Sequence, residues 1–460
     1  MYKIDPSGQE TVLHSFTPTG FDGINPYAGV ILDATGNLYG TTQNGGASGN
    51  GTVYKIDTTG HETIIFSFGG STDGGLPDAG VLLDSAGNLY GTTLSGGASG
   101  NGTVYKIDAT GHETVIHSFH LGTDGTGPIA GVVRDSAGNL YGTTVSGGAS
   151  GNGTVYKIDA TGHETVIHSF AAGTDGTNPY AGVVRDSAGN LYGTAYQGGA
   201  LSIGTVYRID VTGHETLYSF PAAPGGTNPS YGGLVGDSMG NLYGTTLYGG
   251  TSGLGTVYKI DATGHETVIH SFHLGTDGTN PYAGVVRDSA GNLYGTTAGG
   301  GPSFGTVYKI DPTGHETVLY SFADGTDGAN PYAGVILDSA GNLYGTTIYG
   351  GPSFLGTVYK IDPSGHETVL HTFAGGTDGA DPRAEVVLDS AGNLYGTTYL
   401  GGASGLGTVY KIDATGHETV IHSFAGGTDG TNPYAGVVRD SAGNLYGTTA
   451  GGGASGLGTV

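Results

Sequence analysis

Sixteen histidines, 39 acidic residues and no cysteine bound the chemistry open to this 460-residue chain. The histidines fall mainly in two fixed slots. His61, His112, His163, His214, His265, His315, His366 and His417 each follow an Asp-x-x-Gly turn. His14, His117, His168, His270, His371 and His422 lie inside the apolar run that comes next. In that second slot Phe66, Tyr218 and Tyr320 replace histidine. Those rings do not ligate zinc as imidazole does, and no His-x-x-x-His spacing is present, so the slot reads as space-filling and no metal site is expected. A recurring Asp-Gly-x-Asn-Pro loop, as at Asp277–Pro281, offers one carboxylate and one amide. Calcium takes six to eight oxygens. An Asx turn feeding a strand explains the loop as well, with calcium the one cation left open.

Catalysis needs unlike residues converging on one point. This chain instead repeats itself: Tyr105–Thr126 and Tyr258–Thr279 are identical over 22 residues. It has no nucleophile elbow, phosphate loop or paired-carboxylate signature. Symmetry breaks at a few places. Asp78, Ile129 and Arg383 replace a recurrent tyrosine, and Glu385 replaces the glycine that follows. If the strand carrying them lines a central channel, Asp78, Arg383 and Glu385 mark asymmetry at its mouth. The reading is therefore non-enzymatic, with a lyase- or lactonase-type enzyme holding a channel metal as a rival.

The segment Gly-Thr-Val-Tyr-Lys-Ile-Asp returns about every 51 residues, its tyrosine at Tyr2, Tyr54, Tyr105, Tyr156, Tyr207, Tyr258, Tyr308, Tyr359 and Tyr410. The chain starts inside one copy and stops at Gly458-Thr459-Val460, where a further tyrosine would follow. Within one unit, four β-rich runs are bounded by Gly or Pro. They are 281–288 (strand A), 292–297 (B), 305–311 (C) and 315–322 (D). Asp-x-x-Gly joins A to B and C to D, the signature of a type I turn closed by a left-handed residue. A four-strand meander cannot bury both faces alone, whereas radial packing of such sheets can. The prediction is an all-β, nine-bladed β-propeller of four antiparallel strands per blade. One domain would span 1–460, closed by strands from both termini, with 433–460 and 1–16 sharing the last blade.

The net charge of −25 argues against nucleic acid and anionic membranes as partners. No apolar run approaches the length of a membrane span, and no signal or anchor is visible in this sequence. A monomer is expected.

The string Asn-Leu-Tyr-Gly-Thr-Thr, then Gly-Gly, Gly-Thr-Val-Tyr-Lys-Ile-Asp, Ser-Phe and Asp-Gly-x-Asn-Pro resembles the GloVer repeat, a mostly bacterial tandem-repeat family with varied surface anchors. The resemblance covers every repeat. It implies export and display at the cell surface and implies no reaction. The strand order is more loosely similar to NHL-type propellers.

The B–C and D–A loops vary while the two Asp-x-x-Gly turns hardly do. A meander puts both variable loops on one face. Tyr196, Tyr248, Tyr349 and Tyr399 appear there, with Phe304 and Phe354 slightly further along. Such rings suit stacking on sugars or on an apolar partner. The expected function is a binding or display module for a carbohydrate or surface polymer. A symmetric scaffold without an evolved ligand is the alternative.

Overall fold

The computed structural model describes residues 2–451 apart from 5–9, 17–21, 220–224, 230–233, 262–264, 301–303, 440–442 and shorter stretches elsewhere. By its contacts the chain divides into two compact units, residues 13–220, and residues 221–456 with 1–12. The same four-strand antiparallel sheet recurs in both. No α-helix occurs among the described residues.

In the repeat 281–322 the ladder runs Val286–Arg287, Leu293–Thr297, Thr306–Ile310 and Glu316–Ser321, in chain order. These are the observed strands A to D. The register sets Gly295 opposite Tyr308 and Tyr308 opposite Val318, with a bulge where Val307 meets Tyr320. Strands B, C and D stand where Val, Ile, Tyr and Thr are dense. Strand A is a correction. Only two of the eight expected residues join the ladder. Asn280 adopts φ +58° and Pro281 has no N–H to donate, so the chain turns and crosses the previous repeat instead of pairing. There the proline Cδ would lie 2.6 Å from a Cβ at Gly255.

Both turns behave as their residues dictate. The Asp288 carbonyl accepts from Gly291 N–H at 3.1 Å, and Gly291 sits at φ +91°. The Asp288 carboxylate accepts from Asn292 N–H (2.8 Å), Asn292 Nδ2 (2.7 Å) and Tyr294 OH (3.1 Å). Burial works against its charge, but these bonds prevail and hold the carboxyl below its ordinary range. At the C–D turn Asp311 accepts from Thr313 N–H, the Thr313 hydroxyl and His315 N–H.

The core lies between sheets rather than within them. Tyr141, Val155 and Phe170 of one repeat pack with Val183, Leu191, Tyr207 and Ile209 of the next. Phe170 meets Tyr207 edge to face at 5.2 Å. The Leu-Tyr-Gly-Thr-Thr motif follows from this packing. Leu140 fills the core, and Tyr141 OH donates to Asp135 at 3.0 Å. Gly142 lies under the Tyr156 ring, where a Cβ would come 2.3 Å from Oη. Thr143 donates to the Ala181 carbonyl of the following repeat at 3.1 Å. Thr144 shares a 2.8 Å bond with the buried Thr154 hydroxyl.

One four-stranded sheet takes two strands from each end of the chain, Tyr2 opposing Gly447 and Ile4 opposing Leu445. Residues 452–460, which include the Gly458–Val460 stub, lie outside the described residues.

Candidate functional site

Polar side chains collect at the seams between neighbouring sheets. At most seams a histidine of the strand D run meets the aspartate of the D–A loop and the first glutamate of strand D in the following repeat. Among the described residues, four such groups bring one donor atom of each residue within 4.8 Å of the other two: His14–Asp22–Glu62, His117–Asp124–Glu164, His168–Asp175–Glu215 and His371–Asp378–Glu418. The histidine Nε2 lies 2.7 Å from Asp124, 3.0 Å from Asp175 and 2.9 Å from Asp378. His168 Nε2 is also 3.3 Å from Glu215. The second carboxylate oxygen of Asp378 accepts from Ala374 N–H at 2.6 Å, which fixes the loop.

The electrostatics follow from two acids sharing one imidazole in a half-buried seam. Burial pushes the Glu164 and Glu418 carboxyls up to about 7, reinforced by Asp124 and by Asp378 respectively. Burial lowers His117 despite its bond to Asp124. At His168 burial acts the same way, yet Asp175 and Glu215 together raise it. The glutamate Oε1 of residues 62, 164 and 418 is enclosed and has no hydrogen-bond partner among the described residues.

This corrects the space-filling view of the strand D histidines. They do pack, His117 against Phe119 at 4.8 Å, but Nε2 is committed to a carboxylate. Where histidine is lost, Tyr320 OH takes over the bond to Asp327 at 2.9 Å, and Phe66 leaves Asp73 and Glu113 without one. Spacing along a single strand could not expose the group, because its residues come from two repeats. A usable signal was the constant offset: His117, Asp124 and Glu164, like His168, Asp175 and Glu215, are 7 and 47 residues apart.

The polar groups of the Asp-Gly-x-Asn-Pro loop are bonded to strand D and to the preceding repeat, with Asp277 also 3.1 Å from His270 Nε2. Asp277 accepts from His273 N–H at 3.2 Å, and Asn280 Nδ2 donates to the Leu247 carbonyl at 3.1 Å. The loop also bonds the B–C loop of its own repeat, with Thr279 N–H to the Gly299 carbonyl at 2.7 Å and the reverse bond at 3.1 Å.

Among the rim aromatics, Tyr196 (56%), Tyr248 (48%), Tyr349 (53%) and Phe354 (59%) are exposed. Phe304 packs against the core instead. Tyr399 is half-buried, with the Arg383 guanidinium 4.3 Å from its ring and Tyr434 beside it at 5.9 Å. Arg383 also pairs with Asp381 at 2.6 Å. Glu385 accepts from Gly334 N–H and is raised by burial. It borders an open recess of about 1040 Å³ lined by residues in or just before strand A, such as Ile336, Val386 and Val437. Asp78 accepts from the Gln43 amide.

The Gloeobacter/Verrucomicrobia repeat model matches residues 1–185, 133–339 and 305–460, overlapping across the whole chain. The chain belongs to that repeat family. No match was found among curated proteins. Among solved structures, virginiamycin B lyase from Staphylococcus aureus is similar at 15% identity over 70% of this chain and 91% of that one, TM-score 0.38. Porphyromonas gingivalis dipeptidyl peptidase 4 is similar at 12% identity over 95% and 67%, TM-score 0.49. A putative 6-phosphogluconolactonase from Bacteroides uniformis is similar at 15% over 73% and 96%, TM-score 0.36. At these values the likenesses carry no argument about activity. In this Gloeobacter/Verrucomicrobia repeat, Asp22 and Asp175 of the seams belong to the recurring Asp-Gly-x-Asn-Pro string, and the seam histidines and glutamates lie outside the recurring strings.

Proposed function

We propose that this chain is a non-catalytic, nine-bladed propeller, closed by strands from both ends, that binds a surface glycan or similar polymer on its B–C and D–A loops. The observation that carries the reading is the exposure of Tyr196, Tyr248, Tyr349 and Phe354 on those loops. An exposed tyrosine offers a flat apolar face beside a hydroxyl, matching the mixed surface of a sugar ring. One stacked ring contributes little, so affinity should grow with polymer length as several repeats engage. Tyr399 and Phe304 are already partnered and take a supporting part. Repetition of the polar seams, and the local partners of Asp78, Arg383 and Glu385, favour a module over an enzyme. Display outside the cell, which the resemblance of its motifs to that repeat family implies, is the setting proposed for such a module.

The test is affinity electrophoresis with polysaccharides and their short oligomers. Replacing Tyr196, Tyr248, Tyr349 and Phe354 by Ser should abolish retardation by the polymer while circular dichroism stays unchanged. Undiminished binding by that folded variant would refute the aromatic face. No binding by the parent chain to any polymer tested would favour a scaffold without an evolved ligand.

A further inference from the structure

We propose that the His–Asp–Glu seams are binding sites for a divalent transition cation of the zinc class, one at each of the four seams whose donor atoms converge among the described residues. Three observations carry this. Each seam gathers an imidazole nitrogen and two carboxylate oxygens with mutual distances no greater than 4.8 Å. Ligands to one zinc ion, bonded at roughly 2.0–2.2 Å, stand no more than about 4.4 Å apart, so small side-chain rotations close the set. The glutamate Oε1 of residues 62, 164 and 418, like that of Glu113, Glu316 and Glu367, is enclosed and has no hydrogen-bond partner among the described residues, a costly arrangement for an acceptor unless something binds it, and what sets the four seams apart is that a histidine and an aspartate converge on it. Two carboxylates face a single imidazole, leaving net negative charge in seams whose side chains are mostly buried, with His168, Asp175 and Glu215 exposed 16%, 15% and 16%.

The donor set selects the metal class. Imidazole suits zinc, iron, nickel and copper, whereas magnesium and calcium prefer oxygen alone. Binding requires histidine to present a bare Nε2, so the proton now shared with the aspartate moves to Nδ1 or leaves to solvent. The aspartate is already held by its loop, as Asp378 is by Ala374 N–H. The glutamate belongs to the next repeat, so an ion here would tie adjacent sheets together.

The chain supplies its own control. Phe66 occupies the histidine slot at one seam, so phenylalanine is compatible with the fold there. The intact chain, stripped with EDTA, is equilibrated with zinc chloride and passed through gel filtration before metal analysis. About four zinc per chain are expected to remain, with a raised melting temperature that magnesium chloride does not reproduce. The variant with His14, His117, His168 and His371 changed to Phe should retain less than one. If it fails to fold, the isosteric variant with Glu62, Glu164, Glu215 and Glu418 changed to Gln serves, with the same expectation. Fewer than one zinc on the parent chain, or undiminished retention in the variant that folds, would overturn the proposal.

Discussion

Replacing Gly142 by Ala isolates the closest packing contact in the repeat. A Cβ at Gly142 would stand 2.3 Å from Tyr156 Oη, 2.6 Å from Cζ and 3.2 Å from Cε1. The Tyr156 ring is 0% exposed and meets Phe119 edge to face at 5.0 Å, so it has nowhere to retreat. Gly142 lies in a regular strand and has no left-handed φ, so the cost is steric and not conformational. Overpacking a close-fitted core costs about 1–3 kcal/mol, and a clash with three atoms of one immobile ring belongs at the upper end. We expect Gly142→Ala to destabilise by about 3 kcal/mol, read as a lowered urea midpoint with unchanged slope. Gly29→Ala is the control: nothing lies within 4 Å of its Cβ, and an effect within about 0.5 kcal/mol is expected. Combining Gly142→Ala with Tyr156→Leu should cost less than the sum of the single changes, because the colliding atoms are gone. A near-neutral Gly142→Ala, or strict additivity in the pair, would refute the contact.

Two further outcomes are expected. Stability should peak near pH 4–5: the turn aspartates, among them Asp135 and Asp288, have lowered carboxyls, so their contribution is present above about 3.8 and lost as pH falls through the lower folded value. Glu113, Glu316 and Glu367 are pushed up to about 7, so their contribution is present below about 4.5 and lost as pH rises toward 7. Melting curves across pH 2.5–8 check this, and a monotonic profile would contradict it. Deleting residues 2–16 removes the strand that opposes Leu445–Gly447 and the one beyond it and leaves an edge, so the melting temperature should fall or aggregation appear; an unchanged curve would mean the pairing contributes nothing.

The residue pattern revealed strands B, C and D because their apolar runs end at Gly and Pro, and both hairpins because Asp-x-x-Gly has one good conformation. It overstated strand A, since apolar content says nothing of whether N–H groups find a ladder, and Pro281 after a left-handed Asn280 prevents it. The rim was half legible. Loop position correctly placed Tyr196, Tyr248, Tyr349 and Phe354 at the surface, but Phe304 turned to the core and Tyr399 to Arg383. The seams were illegible for a geometric reason. Glu164 reads as an ordinary strand end until the next sheet is laid against it, bringing His117 and Asp124 alongside.

Because the ring–ring contact between neighbouring sheets is nearly one contact reused, 5.0 Å at Phe68–Tyr105 and 5.1 Å at Phe373–Tyr410, any sheet is a passable mate for any other. Recombination that gains or loses a whole period therefore joins compatible surfaces wherever in the period the crossover falls. The same interchangeability leaves a severed array unable to tell its proper successor from a stranger's. Co-expressed fragments should shuffle into mixed partnerships, and the histidine, phenylalanine or tyrosine at each junction is among the few marks by which one mate differs from another.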